Sequence, residues 1–154
     1  TSCSKIVIHI CLHRKTPLDK VNFFCHHVRT IMSDANFFEL KGQVIKEITG
    51  LEKDSPEVHI VTNQTTYKLY HEQDCCEYVR VVKVIGNVNE LIGEVIFAEE
   101  DAGANDPDWY TEYDRLYSHT WTKYVLKTKN ASLEFWFLGE SNGYYNESVS
   151  IKKI

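Results

Sequence analysis

The stretch TWTKYVLKTKNASLEFWFL, from Thr120 to Leu138, carries the clearest structural signal in the chain. Two runs rich in β-branched and aromatic residues, which favour strands, flank the short link Asn130-Ala131. A link this short joins antiparallel strands, because a parallel pair needs a crossover of about a dozen residues. Side chains alternate between the two faces of a strand, and in the second run both faces are apolar: Leu133, Phe135 and Phe137 on one, Trp136 and Leu138 on the other. We therefore predict a central antiparallel strand that is covered on both faces.

Short strand-like runs separated by turn residues occupy most of the chain after Gly42. The predicted strands are Gln43–Ile48, Glu57–Thr62, Thr66–Tyr70, Glu77–Ile85, Glu94–Glu99, Thr120–Lys127, Ser132–Leu138 and Glu147–Lys152. Asn63-Gln64 predicts a second tight hairpin, and Val88–Ile92 is long enough for one helical turn. The predicted fold class is α+β, mainly antiparallel β: a compact, strongly twisted sheet or a partly open barrel or sandwich with one or two short helices.

Length and composition place the chain among globular proteins. Its 154 residues are 43% hydrophobic and 25% charged, which excludes disordered and low-complexity classes. No apolar run approaches the roughly 18 residues that a spanning helix needs, so we expect no membrane association. The net charge of -5 argues against general nucleic-acid binding, which depends on Lys and Arg neutralising phosphates.

Charge divides the chain into two regions. Residues 1–31 hold five Lys or Arg against one Asp, a net charge of +4, whereas residues 32–154 hold 12 against 21, a net charge of -9. Met32, the only methionine, stands at this boundary, so residues 32–154 are predicted to form a single acidic β-rich domain. Residues 1–31 are a basic N-terminal extension with two interpretations: upstream translation, or a strand at Lys5–Leu12 followed by an amphipathic helix that begins at Thr16-Pro17.

The stretch Asp101–Ser118 interrupts the strand pattern with acidic and aromatic residues, and we predict a long loop there. Its aromatic side chains offer a large contact area for recognition of a partner. A short helix from Pro107 to Tyr117 is the alternative interpretation.

The densest polar cluster is HEQDCCE, from His71 to Glu77, which we call the first polar segment. Its candidate ligand- or partner-binding residues are His71, Glu72, Asp74, Cys75, Cys76 and Glu77. His71 and Cys76 have side chains that bind metals, but zinc usually takes three or four ligands, so no metal site and no cofactor are predicted. A catalytic thiolate is disfavoured because the surrounding carboxylates raise the pKa of a thiol, and a disulfide between adjacent cysteines is expected to be strained. A turn capped by its own carboxylates is the favoured interpretation, with reduced thiols.

A second polar cluster, GESNGYYNE from Gly139 to Glu147, is called here the second polar segment. Asn142-Gly143 suits a tight hairpin, which is the favoured local structure. The hydroxyls, amide and carboxylate around it can hydrogen-bond a ligand. The binding candidates in this segment are Glu140, Ser141, Asn142, Tyr144 and Tyr145. Trp121 is a further candidate, although an aromatic residue in a strand usually belongs to the core.

Four motifs occur in a fixed order: the first polar segment, a Gly-Asn-x-x-x-Leu-Ile-Gly step at Gly86–Gly93, Thr-Trp-Thr-x-Tyr at Thr120–Tyr124, and Gly-Glu-Ser-Asn-Gly-Tyr-Tyr at Gly139–Tyr145. This order resembles a family of small uncharacterised domains encoded mainly by bacteriophages, over about Leu40 to Ile151. The resemblance implies a phage or prophage origin and a host-cytoplasm setting, and it implies no particular activity. Members of that family tend to have a small polar residue where this chain has Tyr78.

Together these observations favour a non-catalytic phage accessory binding protein that acts on a host or defence component in the host cytoplasm. The expected partner is a host or phage protein or a small ligand, and the oligomeric state is left open. One alternative is a small enzyme or metal-binding protein whose pocket is formed by the two polar segments, which requires His71, Cys76, Glu140 and Tyr144 to lie close together. Another is a virion or assembly component whose strands pair between copies through apolar exposed edges.

Overall fold

The structure is a computed structural model that describes residues 33–112 and 118–154. Within these residues it contains nine strands and two 3-10 turns, at Phe37–Leu40 and Val88–Leu91. The strands are β1 (Ser33–Asp34), β2 (Val44–Thr49), β3 (Glu57–Thr62), β4 (Thr66–Tyr70), β5 (Tyr78–Ile85), β6 (Gly93–Ala104), β7 (Ser118–Thr128), β8 (Ser132–Ser141) and β9 (Ser150–Lys153). The predicted α+β class overstates the helical content, because the described residues contain no helix beyond these two turns. The second turn confirms the one predicted at Val88–Ile92.

All the strand pairs are antiparallel and form one sheet in the order β1-β9-β4-β3-β2-β6-β7-β8-β5. The two predicted hairpins are confirmed as β3–β4 and β7–β8. Backbone hydrogen bonds close both turns, from Thr62 N to Thr65 O (2.9 Å) and from Thr128 N to Ala131 O (2.9 Å). The predicted mainly antiparallel architecture is therefore confirmed.

The sheet curls around its own core without closing into a barrel. Its two parts, β1-β9-β4-β3-β2 and β6-β7-β8-β5, are joined by a short β2–β6 contact. On the far side, the loop between β2 and β3 reaches the free edge of β5 through bonds from Asp54 N to Val81 O (2.8 Å) and from Val81 N to Ser55 O (2.9 Å). This loop bridges the gap that strand pairing leaves open.

Strand β8 lies between β7 and β5, so it is an interior strand next to the sheet edge and not the central strand that its sequence predicts, but both of its faces are covered as predicted. Leu133, Phe135 and Phe137 lie in the main core, which both parts of the sheet enclose. On the opposite face, Trp136 and Leu138 pack with Trp121 in a second, smaller cluster. The continuous apolar run of β8 is therefore explained by the burial of both its faces.

Strand β6 is longer than predicted and ends at Ala104, so the following loop begins later than expected. The acidic and small residues at its end have low intrinsic strand preference, and pairing with β7 overrides it. In the loop, Trp109 packs edge-on against Trp121 and Trp136, with ring centroids 5.6 and 5.7 Å apart. Trp109 therefore covers the second cluster while remaining 40% exposed.

Some predictions fall outside the described residues. These are the strand and helix in residues 1–31, the boundary at Met32, and the part of the predicted Pro107–Tyr117 helix within residues 113–117. Among the residues that are described, no helix has the length and apolar character needed to cross a membrane.

Candidate functional site

The two polar segments meet at one end of the curled sheet because of how four strands pair. The first segment connects β4 to β5, and the chain from the second segment connects β8 to β9. β4 pairs with β9 (Tyr70 with Ser150), and β5 pairs with β8 (Tyr78 with Glu140). Each connection therefore joins the β4–β9 pair to the β5–β8 pair, and the two connections lie side by side.

A cavity of about 450 Å³ lies between these connections. Its lining residues come from both: His71, Glu72, Gln73, Asp74 and Glu77 from the first, Tyr144, Tyr145 and Asn146 from the second. The volume is within the range of small-ligand sites. Three of the lining side chains are carboxylates, and none of the eight lining residues is Lys or Arg.

Glu77 organises the first polar segment from the inside. Its buried carboxylate accepts hydrogen bonds from the backbone N–H groups of Asp74 and Cys75, the latter to Oε2 at 3.1 Å, and contacts His71 Nε2 at 3.2 Å through Oε1. The Asp74 amide, followed by the Cys75 amide and His71, lowers the pKa of Glu77 to about 2 against the opposing effect of burial. Glu77 thus serves as the internal cap that the sequence predicts for this turn.

His71 joins the first connection to the second. Its Nδ1 lies 2.8 Å from the carbonyl oxygen of Ser148, and its Nε2 faces the Glu77 carboxylate. Both neighbours are hydrogen-bond acceptors. The imidazole is therefore engaged on both sides in holding the two connections together.

Glu147 organises the second polar segment in the same manner. Its buried carboxylate accepts hydrogen bonds from the Ser141 hydroxyl (2.6 Å) and the Thr120 hydroxyl (2.7 Å). Ser141 Oγ also accepts from Gly143 N at 2.9 Å. A Cβ atom on Gly139 would lie 2.3 Å from the carbonyl oxygen of Glu147, so glycine lets this chain approach β8 closely.

The hairpin predicted at Asn142-Gly143 is wrong, although a local turn is present. Gly143 has a positive φ of 90°, and the Asn142 side chain accepts a hydrogen bond from Tyr144 N at 3.1 Å. However, β8 does not pair with β9, and the strand predicted from Glu147 begins only at Ser150. Hydrogen bonds hold Glu147 against Thr120 of β7 and Ser141 of β8, so a longer connection stands where the hairpin was predicted.

Several predicted site residues lie away from the cavity. The Glu140 carboxylate accepts a hydrogen bond from Arg80 at 2.7 Å, and Trp121 is buried in the second cluster. The sulfur atoms of the adjacent Cys75 and Cys76 lie close together, and neither residue lines the cavity. Of the four residues that the pocket hypothesis required together, the cavity brings together His71 and Tyr144.

The sequence reasoning missed Gln73 and Asn146 as lining residues, and Thr120 as a partner of Glu147. Gln73 lies inside the first polar segment, and Asn146 follows Tyr145 in the second. Their positions in these segments were the sequence signal that could have identified them as lining residues. Thr120 could not be linked to Glu147 because the contact depends on tertiary structure. Among the described residues, no group of three or more His, Cys, Asp or Glu side chains is placed to hold a metal ion.

A family model described as "Domain of unknown function (DUF7448)" matches residues 39–151. The chain belongs to this family. The match includes both polar segments and nearly all of the sheet, from the first 3-10 turn to β9. Comparison with curated proteins found no match, and comparison with solved structures found none either. The cavity is thus a feature of the part of the chain that forms the DUF7448 domain.

Proposed function

We propose that this DUF7448 domain is a non-catalytic binding module whose ligand site is the cavity between the two polar segments. The carrying observation is that the side chains of His71, Glu77 and Ser141 hold the walls, while the carboxylates of Glu72 and Asp74 face outward. His71 faces a hydrogen-bond acceptor at each ring nitrogen, and Glu77 caps backbone amides. Ser141, the serine of the second polar segment, donates to Glu147.

The outward-facing side chains at the cavity suit capture of a positively charged or hydrogen-bond-donating group. Glu72 and Asp74 are exposed carboxylates, and Tyr144 is 90% exposed at the rim. Carboxylates attract cations, and the face of a tyrosine ring adds a cation–π contact. The protein uses this combination elsewhere, since Arg80 lies 4.5 Å from the centroid of the Tyr78 ring while paired with Glu140.

In its biological setting we propose a phage accessory protein that binds a host or defence component in the host cytoplasm. The motif order supports this setting through its resemblance to phage-encoded domains. The net charge of -9 over residues 32–154 supports a partner with a basic surface. The recognised group is then a Lys or Arg side chain of that partner.

The cavity is tested with Nα-acetyl-L-arginine amide and with Nα-acetyl-L-citrulline amide, whose side chain is uncharged, followed by NMR on the isotope-labelled full chain. The arginine compound is expected to shift the backbone signals of residues 71–77 and 144–146 saturably, and the citrulline compound to bind more weakly. Asp74→Asn should weaken the response to the arginine compound. Glu47→Gln, which removes an exposed carboxylate on β2 outside the cavity, is the matched control. Equal responses to both amides, or none at the cavity, would contradict the proposal.

The link to a partner is tested by affinity purification from phage-infected cells. A partner retained by the wild-type protein and by Glu47→Gln, but lost from Asp74→Asn combined with Tyr144→Ala, supports the proposed function. Retention by all three proteins would show that the cavity is not the binding site.

A further inference from the structure

One edge of β6 has little strand pairing within the described residues. β2 pairs with β6 only at Gly93 and Glu94, with two further backbone bonds at Val95. β7 pairs along the opposite edge as far as Ala104. The 3-10 turn Phe37–Leu40 packs beside β6 with side chains in the core, and no backbone hydrogen bond joins the two.

The segment Phe97–Ala102 of β6 has the regular geometry that strand addition requires. Its six residues keep an unbroken register with β7 between two irregularities, one before Phe97 and one after Ala102. Unpaired strand edges present rows of N–H and C=O groups to which an extended peptide can bond. Four of these six residues are exposed: Phe97, Glu99, Asp101 and Ala102.

The outer face of this segment has a specific chemical character. Phe97, Glu99 and Asp101 alternate with Ala98 and Glu100, whose side chains lie toward the core. The outer face is thus one aromatic ring followed by two carboxylates. Such a face favours positive side chains on a neighbouring strand.

Strand β7 carries lysines at two of the three register positions opposite this face. Lys123 lies directly opposite Asp101, and Lys127 lies opposite Phe97 with its Nζ 5.1 Å from the ring centroid. Between them β7 places an uncharged residue, Val125, opposite Glu99. A strand added at the other edge of β6 would lie beside the same three side chains, so the same electrostatic and cation–π attraction would favour Lys or Arg in it.

We propose that the Phe97–Ala102 edge binds an extended segment of a partner protein in which Lys or Arg occupies alternate positions, adding a strand to the sheet. A second copy of this chain suits the edge poorly, because antiparallel pairing places Glu99 and Asp101 of one copy beside those of the other. This surface is separate from the cavity in residues and does not depend on its function.

The test uses the acetylated and amidated peptide Lys-Val-Lys-Val-Lys-Val, titrated into the full chain and followed by NMR and amide hydrogen exchange. Saturable shifts and slower exchange at residues 97–102 are expected. A peptide with Glu in place of Lys should not bind. A peptide with the same lysines but N-methylated at alternate amides should bind at least about tenfold more weakly, since it cannot complete the backbone ladder.

The protein-side test reverses the charge of the outer face. The double variant Glu99→Lys with Asp101→Lys is expected to lose about tenfold in affinity for the lysine peptide. Glu47→Lys with Glu52→Lys makes the same charge change at exposed sites elsewhere and should lose much less. Equal losses in the two variants, equal binding of the N-methylated peptide, or no binding overturns the proposal. Self-association through residues 97–102 that excludes the peptide overturns it in favour of a second copy.

Discussion

Replacing Glu147 with alanine tests the claim that buried carboxylates hold the cavity walls. The substitution removes both oxygens that accept hydrogen bonds from Ser141 and Thr120, at 2.6 and 2.7 Å. These bonds tie the connection between β8 and β9 to two neighbouring strands. The expected result is a less stable protein in which Tyr144–Asn146 no longer keeps its place beside the first polar segment.

The magnitude follows from the number and kind of bonds removed. Hydrogen bonds to a charged group contribute about 1.5–3 kcal/mol each, and the Ser141 hydroxyl keeps a poorer acceptor in Tyr145 O at 3.4 Å. We therefore expect Glu147→Ala to lower the free energy of unfolding by about 3 kcal/mol. Glu147→Gln retains the shape and one carbonyl acceptor, so its expected cost is about 1 kcal/mol.

Urea denaturation of the full chain measures this change, with an unaltered m-value as evidence that the unfolding transition is the same. Glu140→Ala is the matched control in the same segment. Its carboxylate is 24% exposed and pairs with Arg80, which also contacts Asp54 at 3.3 Å, so the expected cost is about 1 kcal/mol or less.

A double-mutant cycle with Ser141→Ala decides whether the hydrogen bond is the cause. If the bond matters, the two substitutions together cost less than the sum of the single ones. Strict additivity of Ser141→Ala and Glu147→Ala, or a loss no larger than that of Glu140→Ala, would refute the reasoning.

Three further predictions concern single positions. The pKa of Glu77 is about 2 in the folded protein and near 4.5 when unfolded, so its stabilising effect is complete above pH 4.5 and is lost as the pH falls toward 2. Glu77→Gln should flatten this acid dependence of the free energy of unfolding, measured by denaturation at a series of pH values. An unchanged profile would contradict the assignment. Gly139→Ala introduces a Cβ 2.3 Å from Glu147 O and should destabilise by about 2 kcal/mol in urea, whereas a neutral result would mean that the connection moves freely. Burial raises the pKa of Glu100 against the opposing hydrogen bond from Tyr124, so at a pH above that pKa the buried charge destabilises the fold. Glu100→Gln should therefore raise the free energy of unfolding at pH 7, and this gain should disappear below pH 4.5. A lower free energy of unfolding at pH 7 would count against the prediction.

The sequence alone determined most of the strands and the local hairpins. Alternation of apolar residues and short polar links encode β3–β4 and β7–β8, because the pattern and the turn act within a few residues of each other. The apolar character of both faces of β8 predicted that both faces are covered, but not that β8 lies next to the sheet edge. The end of β6 was missed because acidic and small residues there carry no local strand signal.

Only the tertiary structure decided that the two polar segments form one cavity. Their proximity depends on the pairing of Tyr70 with Ser150 and of Tyr78 with Glu140, residues separated by more than half of the described chain. Backbone hydrogen bonds between strands are the same for every residue, so no local pattern states which strand meets which. Which strands pair is decided by how the whole sheet curls around its core. The same arrangement places the Glu140 carboxylate against Arg80 and the Glu147 carboxylate against Ser141 in the interior.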